Sequence, residues 1–384
     1  MATKINTRSP FYVKVSNASL ASATLELYIY TGILTTNKPA SAQYTITKNE
    51  ISTNNYVVFE ISELVRDYLD IEFDGEYDSQ AVWVEADIEL FNAINGGGTS
   101  LGISNTDYIA FDGYGYFEDG INPELSRTYL QSNYKISRPS DTNLRVPVFT
   151  EDTDSVSFLY KGEVKRVQTV SSSTNTNAQI EYITVSGSDN TDTYKERVLA
   201  DGGTFEDNSL LDAFLDAVDI GLVDELYINS DSGAEVVKIS QEPCTKYEPY
   251  KVTFVNKFGA LQDMWFSLKS TESLNTTGET YKANVVNFST LTYATYKPQV
   301  AQYNKLGKES ITLNTNYISE DYNEVIKQLM MSEQVWITKL TDTEEVLSVI
   351  PKTQNVTYKT SLNDRLVQYT VDFDYAFDKI NTVR

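Results

Sequence analysis

Residues 82–91 read VWVEADIELF, and their alternation decides the class of the fold. Val82, Val84, Ala86, Ile88 and Leu90 fall on one side of an extended chain, and Trp83, Glu85, Asp87, Glu89 and Phe91 on the other. Successive side chains change faces in a β-strand, so a period of two with one apolar face predicts a half-buried strand. Residues 367–377 (VQYTVDFDYAF) repeat the pattern, with Val367, Tyr369, Val371, Phe373, Tyr375 and Phe377 together. Working outward, runs rich in Tyr, Val, Thr and Ile predict strands at 11–15, 23–30, 56–59, 108–111, 155–160, 164–170, 180–185, 225–228, 236–239, 250–255 and 335–340. Residues 346–350 are expected to return antiparallel to 335–340 through the polar turn Thr341-Asp342-Thr343. The expected fold is mainly β: two or three β-sandwich-like modules with a few short capping helices.

Three stripes at helical spacing interrupt the strands. Ser62 is the expected N-cap of a helix over 63–69, with Leu64, Val65, Tyr68 and Leu69 on its apolar face. Ser209 is the expected cap of a second, whose face is Leu211, Phe214, Leu215 and Val218. In the third, acidic Glu320 and Asp321 suit a helix start, and Tyr322, Val325, Ile326, Leu329 and Met330 follow on one face. Helices this short need a sheet to cover. The polar, proline-containing stretch 138–143 (RPSDTN) reads as a linker, and composition shifts again at 295–302 around Pro298. The expected modules are therefore 1–137, 144–290 and 300–384, the last able to pack as one unit with the first.

Composition narrows the chemistry. The 384 residues contain 54 acidic and 31 basic side chains, a net charge of −23, with no histidine and one cysteine, Cys244. Without histidine there is no Ser-His-Asp or Cys-His catalysis and no His-ligated zinc. A single cysteine excludes intrachain disulfides, and without histidine or another nearby base its thiol is not activated. The acidic balance and scattered bases argue against nucleic-acid binding as the main role. The first fifteen residues hold no uninterrupted apolar core and no stretch approaches 18 apolar residues, so neither a secretory signal nor a membrane span is expected. Synthesis in the cytoplasm follows as the default.

Carboxylate pairs are the remaining catalytic candidates. Asp87 with Glu89, and Asp372 with Asp374, share strand faces, and two opposed carboxylates suffice for glycoside hydrolysis. Alternate acids on a strand are equally a solvated face, which is the preferred reading. Turns at Glu118-Asp119-Gly120, 189–192 and 229–233 offer oxygen atoms, but none has the spacing of an EF-hand loop. Asp212, Asp216 and Asp219 form an acidic ridge on the second expected helix, read as a solvated face. Asn95-Gly96-Gly97-Gly98 lacks the lysine and helix of a phosphate-binding loop. No catalytic, metal or cofactor ligand is therefore assigned.

Residues 108–117 (YIAFDGYGYF) place five aromatics around Gly113 and Gly115. Such a stretch suits a sandwich core, a protein interface or a stacking platform for sugars. Tyr108, Phe111, Tyr114, Tyr116 and Phe117 are taken as the candidate interface.

The segments 6–29 (NTRSPFYVKVSNASLASATLELYI), 250–266 (YKVTFVNKFGALQDMWF), 313–337 and 369–384 resemble virion structural proteins of tailed bacteriophages. That resemblance covers well under half of the chain and transfers no functional residue. It implies a non-enzymatic building block of a tail, baseplate or neck. Other copies of itself and other virion proteins would be its partners, and a homo-oligomeric ring its assembled form, carried in the virion after synthesis in the host cytoplasm. The alternative is a carbohydrate- or receptor-binding module of tail-fibre or adhesin type. A histidine-free glycoside hydrolase stands behind both.

Overall fold

In the first sheet the alternating run at 82–91 becomes a central strand. The computed structural model describes residues 3–32, 34, 36–51, 55–78, 81–123, 127–139, 142–150, 153–170, 180–185, 223–230, 233–242, 246–339, 345–353, 355 and 366–380. The expected Ser209 helix with its Asp212, Asp216 and Asp219 ridge, the Thr341-Asp342-Thr343 turn and Cys244 lie outside the described residues. The fold is mainly β, in several separate sheets with few helices.

The first module contains β1 (Thr3–Asn6), β2 (Tyr12–Ser16), β3 (Ser22–Tyr30), β4 (Tyr44–Asn49), β5 (Tyr56–Glu60), β6 (Ala81–Phe91) and β7 (Ser100–Phe111). Five of them form a sheet in the order β1-β7-β6-β3-β4, with β1 parallel to β7. The β2–β5 pair packs across it, so Val13, Val15, Val57 and Phe59 meet Leu25, Leu27, Val84 and Ile88 in one core. The short helix α1 is Ser62–Arg66, two residues into the chain beyond β5. It corrects the expected cap: Ile61 occupies the N-cap, Ser62 lies inside the first turn, and the helix stops short of Leu69. The Ser62 hydroxyl donates instead to the carboxylate of Glu60.

The second module contains β8 (Lys135–Pro139), β9 (Leu144–Phe149), β10 (Ser155–Tyr160), β11 (Glu163–Thr169), β12 (Ile180–Val185), β13 (Glu225–Ser230) and β14 (Gly233–Glu242). Its five-stranded sheet runs β11-β10-β13-β14-β8, and the β12–β9 pair shares its core through Val146, Val148, Ile183 and Val185. Residues 138 and 139, expected in a linker, end strand β8. Pro139 is tolerated there because β8 is an edge strand, where a missing N–H breaks no ladder. Arg138 is buried, and one of its nitrogens donates to the carbonyls of Thr142 (2.6 Å) and Val185 (3.0 Å), stitching the two sheets together.

The third module contains β15 (Tyr250–Val255), β16 (Leu261–Phe266), β17 (Thr271–Lys282), β18 (Val286–Asn287), β19 (Thr292–Tyr293), β20 (Val300–Asn314), β21 (Ile318–Ser319), α2 (Tyr322–Met331), β22 (Val335–Lys339), β23 (Glu345–Pro351), β24 (Leu366–Val367) and β25 (Thr370–Tyr375). Seven strands make one antiparallel sheet in the order β16-β15-β22-β23-β25-β20-β17. This sheet joins strands from both sides of the expected 290–300 division, and Pro298 falls near the tip of the β17–β20 hairpin. The return of β23 along β22 is as expected, with Val335 opposite Val349. On α2 the stripe Tyr322, Val325, Ile326 and Leu329 is buried on Val252, Phe254, Ile311 and Leu313. The opposite face of the sheet is covered by the segment after α1, where Ile71 and Phe73 pack on Val255 and Leu261. Strands β15 and β16 are consequently buried along their whole length.

Candidate docking surface

The aromatic stretch 108–117 forms the junction of the three modules. Phe111 is fully buried at the end of β7 and stands edge-on to Phe149 of β9, ring centres 5.6 Å apart. Beyond it the backbone runs against two other segments. The Arg8 amide donates to the carbonyl of Gly113 (3.0 Å), and the Tyr114 amide to that of Lys257 (2.9 Å). A Cβ on Gly113 would stand 2.6 Å from Asn6 Oδ1 and 2.8 Å from the Lys257 carbonyl, so only glycine fits. Facing it, the turn between β15 and β16 needs Gly259 at φ +75°, and a Cβ there would meet the Phe111 Cβ at 2.9 Å. Asn256 holds this turn, accepting from the amides of Phe258 and Ala260 and donating to the Leu130 carbonyl at 2.7 Å.

Charge and aromatic rings close the rim of the junction. Arg66 pairs with Asp112 (3.2 Å) and Glu333 (2.5 Å), and Arg8 reaches the same Glu333 at 3.2 Å. Burial pushes the Asp112 carboxyl up, against the opposing pull of Arg66 and Arg8. The Tyr116 hydroxyl donates to Glu324 on α2 at 2.5 Å, while Lys327 lies 3.5 Å from the centre of its ring. Burial pushes the Tyr114 phenol up to about 12, and Tyr116 higher still with the help of Glu324. Of the five expected interface residues, Tyr108, Phe111 and Tyr114 are thus buried within the chain and Tyr116 is bonded to α2. Phe117 alone, at 99% exposure, faces outward. The sequence shows an aromatic, glycine-interrupted strand but not which neighbours meet it.

Three of the four candidate carboxylates are held where they stand, Asp87 and Asp374 by lysines and Asp372 by a hydroxyl. Lys38 lies 2.8 Å from Glu85 and 2.9 Å from Asp87, and the Tyr30 hydroxyl also donates to Glu85. Asp372 accepts from the Thr312 hydroxyl at 2.5 Å, and Asp374 pairs with Lys308 and Lys352. Glu26 of β3 stands opposite Asp87 in the strand register. Asp119 is held by Lys257 at 2.8 Å, and this contact pulls its carboxyl down.

The surface that the sequence reading missed is the β17–β20 hairpin. Its base belongs to the sheet, because β20 pairs with β25 over Ser310–Asn314. From Leu274 to Lys282 and back from Val300 to Glu309 the two strands pair only with each other, an arm of about 30 Å at 3.3 Å per residue. All twelve residues of β17 are exposed. A bulge at Gly278, opposite Asn304 at φ +49°, adds a local twist. Nine of the 26 large apolar side chains exposed among the described residues lie on this arm, including Phe288 (73%), Leu291 (80%), Tyr293 (70%) and Tyr296 (83%) at its tip. The base is braced by Lys379, whose amide donates to Gly307 and whose ammonium pairs with Glu309. The available signal was the absence of a core-forming period in 271–309, where polar threonines and asparagines separate the apolar residues.

No protein-family model and no curated protein matches the chain. Among solved structures it is similar to the calcium-binding domain CBD12 of CALX1.1, at 13% identity and a TM-score of 0.17, over 56% of this chain and 91% of that one. So slight a likeness informs neither the fold nor the docking surface.

Proposed function

We propose that the chain is a non-enzymatic assembly subunit, most specifically a virion structural protein of a tailed bacteriophage that builds a tail, baseplate or neck ring. The observation that supports this reading is the β17–β20 arm. A two-stranded hairpin is marginal in water by itself, and this one adds a cluster of exposed aromatic and aliphatic side chains at its tip. Its folded form gains a partner surface when a neighbouring subunit covers it. The rigid junction of the modules suits the same role, since it fixes the direction in which the arm points.

Light scattering after size exclusion, with electron microscopy of the same fractions, tests the reading. The full chain is expected as a ring or discrete oligomer many times 43.2 kDa. A chain with residues 275–306 replaced by a short turn is expected to stay folded and lose that mass. A monomer at every concentration that instead binds an immobilised glycan overturns the reading in favour of a carbohydrate-binding module.

A further inference from the structure

The arm differs from the rest of the chain in charge. Over the arm, 274–309, Lys282, Lys297, Lys305 and Lys308 stand against Glu279 and Glu309, a net +2 that leaves −25 on the remainder, and the stretch 280–308 holds no acid at all. All four lysines are exposed, interleaved with Tyr281, Tyr293, Tyr296 and Tyr303. The densest acid on the body lies in the segment that follows α1. Over residues 67–78 (DYLDIEFDGEYD) there are six acids and no base. Ile71 and Phe73 are buried against the sheet and Tyr77 is half-buried, whereas Asp67, Asp70, Glu72, Asp74, Glu76 and Asp78 are all exposed. The segment is thus an acidic ribbon anchored by apolar side chains.

The ribbon lies across β16 to β23 of the sheet, and the arm grows from its other side, beyond β25. Phe73 packs on Trp336 of β22 with ring centres 5.5 Å apart, Tyr77 bonds to Asp263 of β16, and Gly75 lies beside Val346 of β23. The arm grows from β20 and β17, two and three strand spacings from β23, or about 10–14 Å at 4.8 Å each. Both surfaces are exposed in the single chain, so neither covers the other.

Resting on the assembly reading, we infer that the basic, tyrosine-rich arm of one copy docks on the acidic ribbon 67–78 of a second copy. Complementary charge steers such an encounter and fixes its register, and the tyrosines supply the apolar contact. Two different patches meet in this contact, so it is heterologous, and repeating it from copy to copy generates a closed ring or an open filament.

A charge exchange on the full chain tests this. One variant carries Lys282→Glu, Lys297→Glu and Lys305→Glu, which takes 280–308 to −2, and a second carries Asp70→Lys, Glu72→Lys, Asp74→Lys and Glu76→Lys, which takes 67–78 to +2. Every substituted residue is exposed, and circular dichroism confirms that each variant folds. The wild type is expected above monomer mass and to dissociate as salt is raised. Each variant alone is expected at 43.2 kDa, because its arm and ribbon carry the same sign. Mixed in equal amounts, the two are expected to regain the assembled mass, since each then finds an opposite charge on the other. If the wild type assembles and both variants assemble equally well alone, the arm–ribbon contact is overturned while the assembly reading stands. If neither the wild type nor the mixture exceeds monomer mass, the contact is overturned together with self-assembly.

Discussion

The Tyr77 hydroxyl lies 2.7 Å from each carboxylate oxygen of Asp263, tying the segment after α1 to strand β16. Thr253 donates to the same carboxylate at 2.7 Å, so a buried anion is shared by two hydroxyls. Burial, and then the nearby negative charge of Asp263, push the Tyr77 phenol well above its ordinary range and keep it a donor. Tyr77→Phe removes one donor from a buried charge and is expected to cost about 1.5–3 kcal/mol. Chemical denaturation measures it, and an Asp263→Asn background should shrink the effect to a fraction of that value.

The close approach of Gly113 and Gly259 makes the module junction intolerant of a methyl group. At Gly259 the φ of +75° alone costs a β-carbon residue about 1–3 kcal/mol, before the 2.9 Å contact with Phe111 is counted. Gly259→Ala is expected to lower the unfolding midpoint of the whole chain. An unchanged midpoint would mean that the turn relaxes away from Phe111, and a crystal structure of the variant would display the shift.

Tyr114 and Phe117 are three residues apart and have opposite expected behaviour. Tyr114 is 6% exposed, with Arg8 over its ring, and Tyr114→Ala should cost about 3–5 kcal/mol of monomer stability. Phe117 is 99% exposed, and Phe117→Ala should alter stability by less than about 0.5 kcal/mol. Thermal unfolding of the two variants side by side distinguishes a junction residue from an open one.

Alkaline pH should loosen the molecule. Burial raises the phenols of Tyr77, Tyr114, Tyr129 and Tyr322 above their ordinary value of 10. In the window above pH 10 the unfolded chain releases these protons while the folded chain keeps them. The folded state then binds more protons, so stability falls as pH rises. Tyrosinate absorbance in a pH titration should therefore show an early group of exposed tyrosines and a late group that ionises together with loss of circular dichroism. A single early transition with the fold intact would contradict the buried positions.

The strand content was legible because a half-buried strand repeats every two residues, as residues 86–91 and 370–375 do, whereas Trp83 and Glu85 are buried on the face expected to be open. Strands β9, β16 and β20 escaped notice for different reasons. Residues 261–266 are buried on both faces and so do not alternate, Pro147 interrupts β9, and β20 runs from open solvent into the core. The stripe on α2 was readable because it covers one sheet face. The arm was not, because its exposed strands carry no core-facing period to read. The aromatic stretch 108–117 announced an unusual backbone through Gly113 and Gly115, but its neighbours Lys257 and Phe258 come from about 145 residues further along the chain.

Strand β25 carries a consequence for how the sheet holds together. It is the last of the described strands, yet it lies inside the seven-stranded sheet, between β23 and β20. Without Thr370–Tyr375 the sheet would be two halves with open edges, and the β17–β20 hairpin would have no strand partner in the body. One six-residue strand thus both joins the halves and ties down the base of the arm.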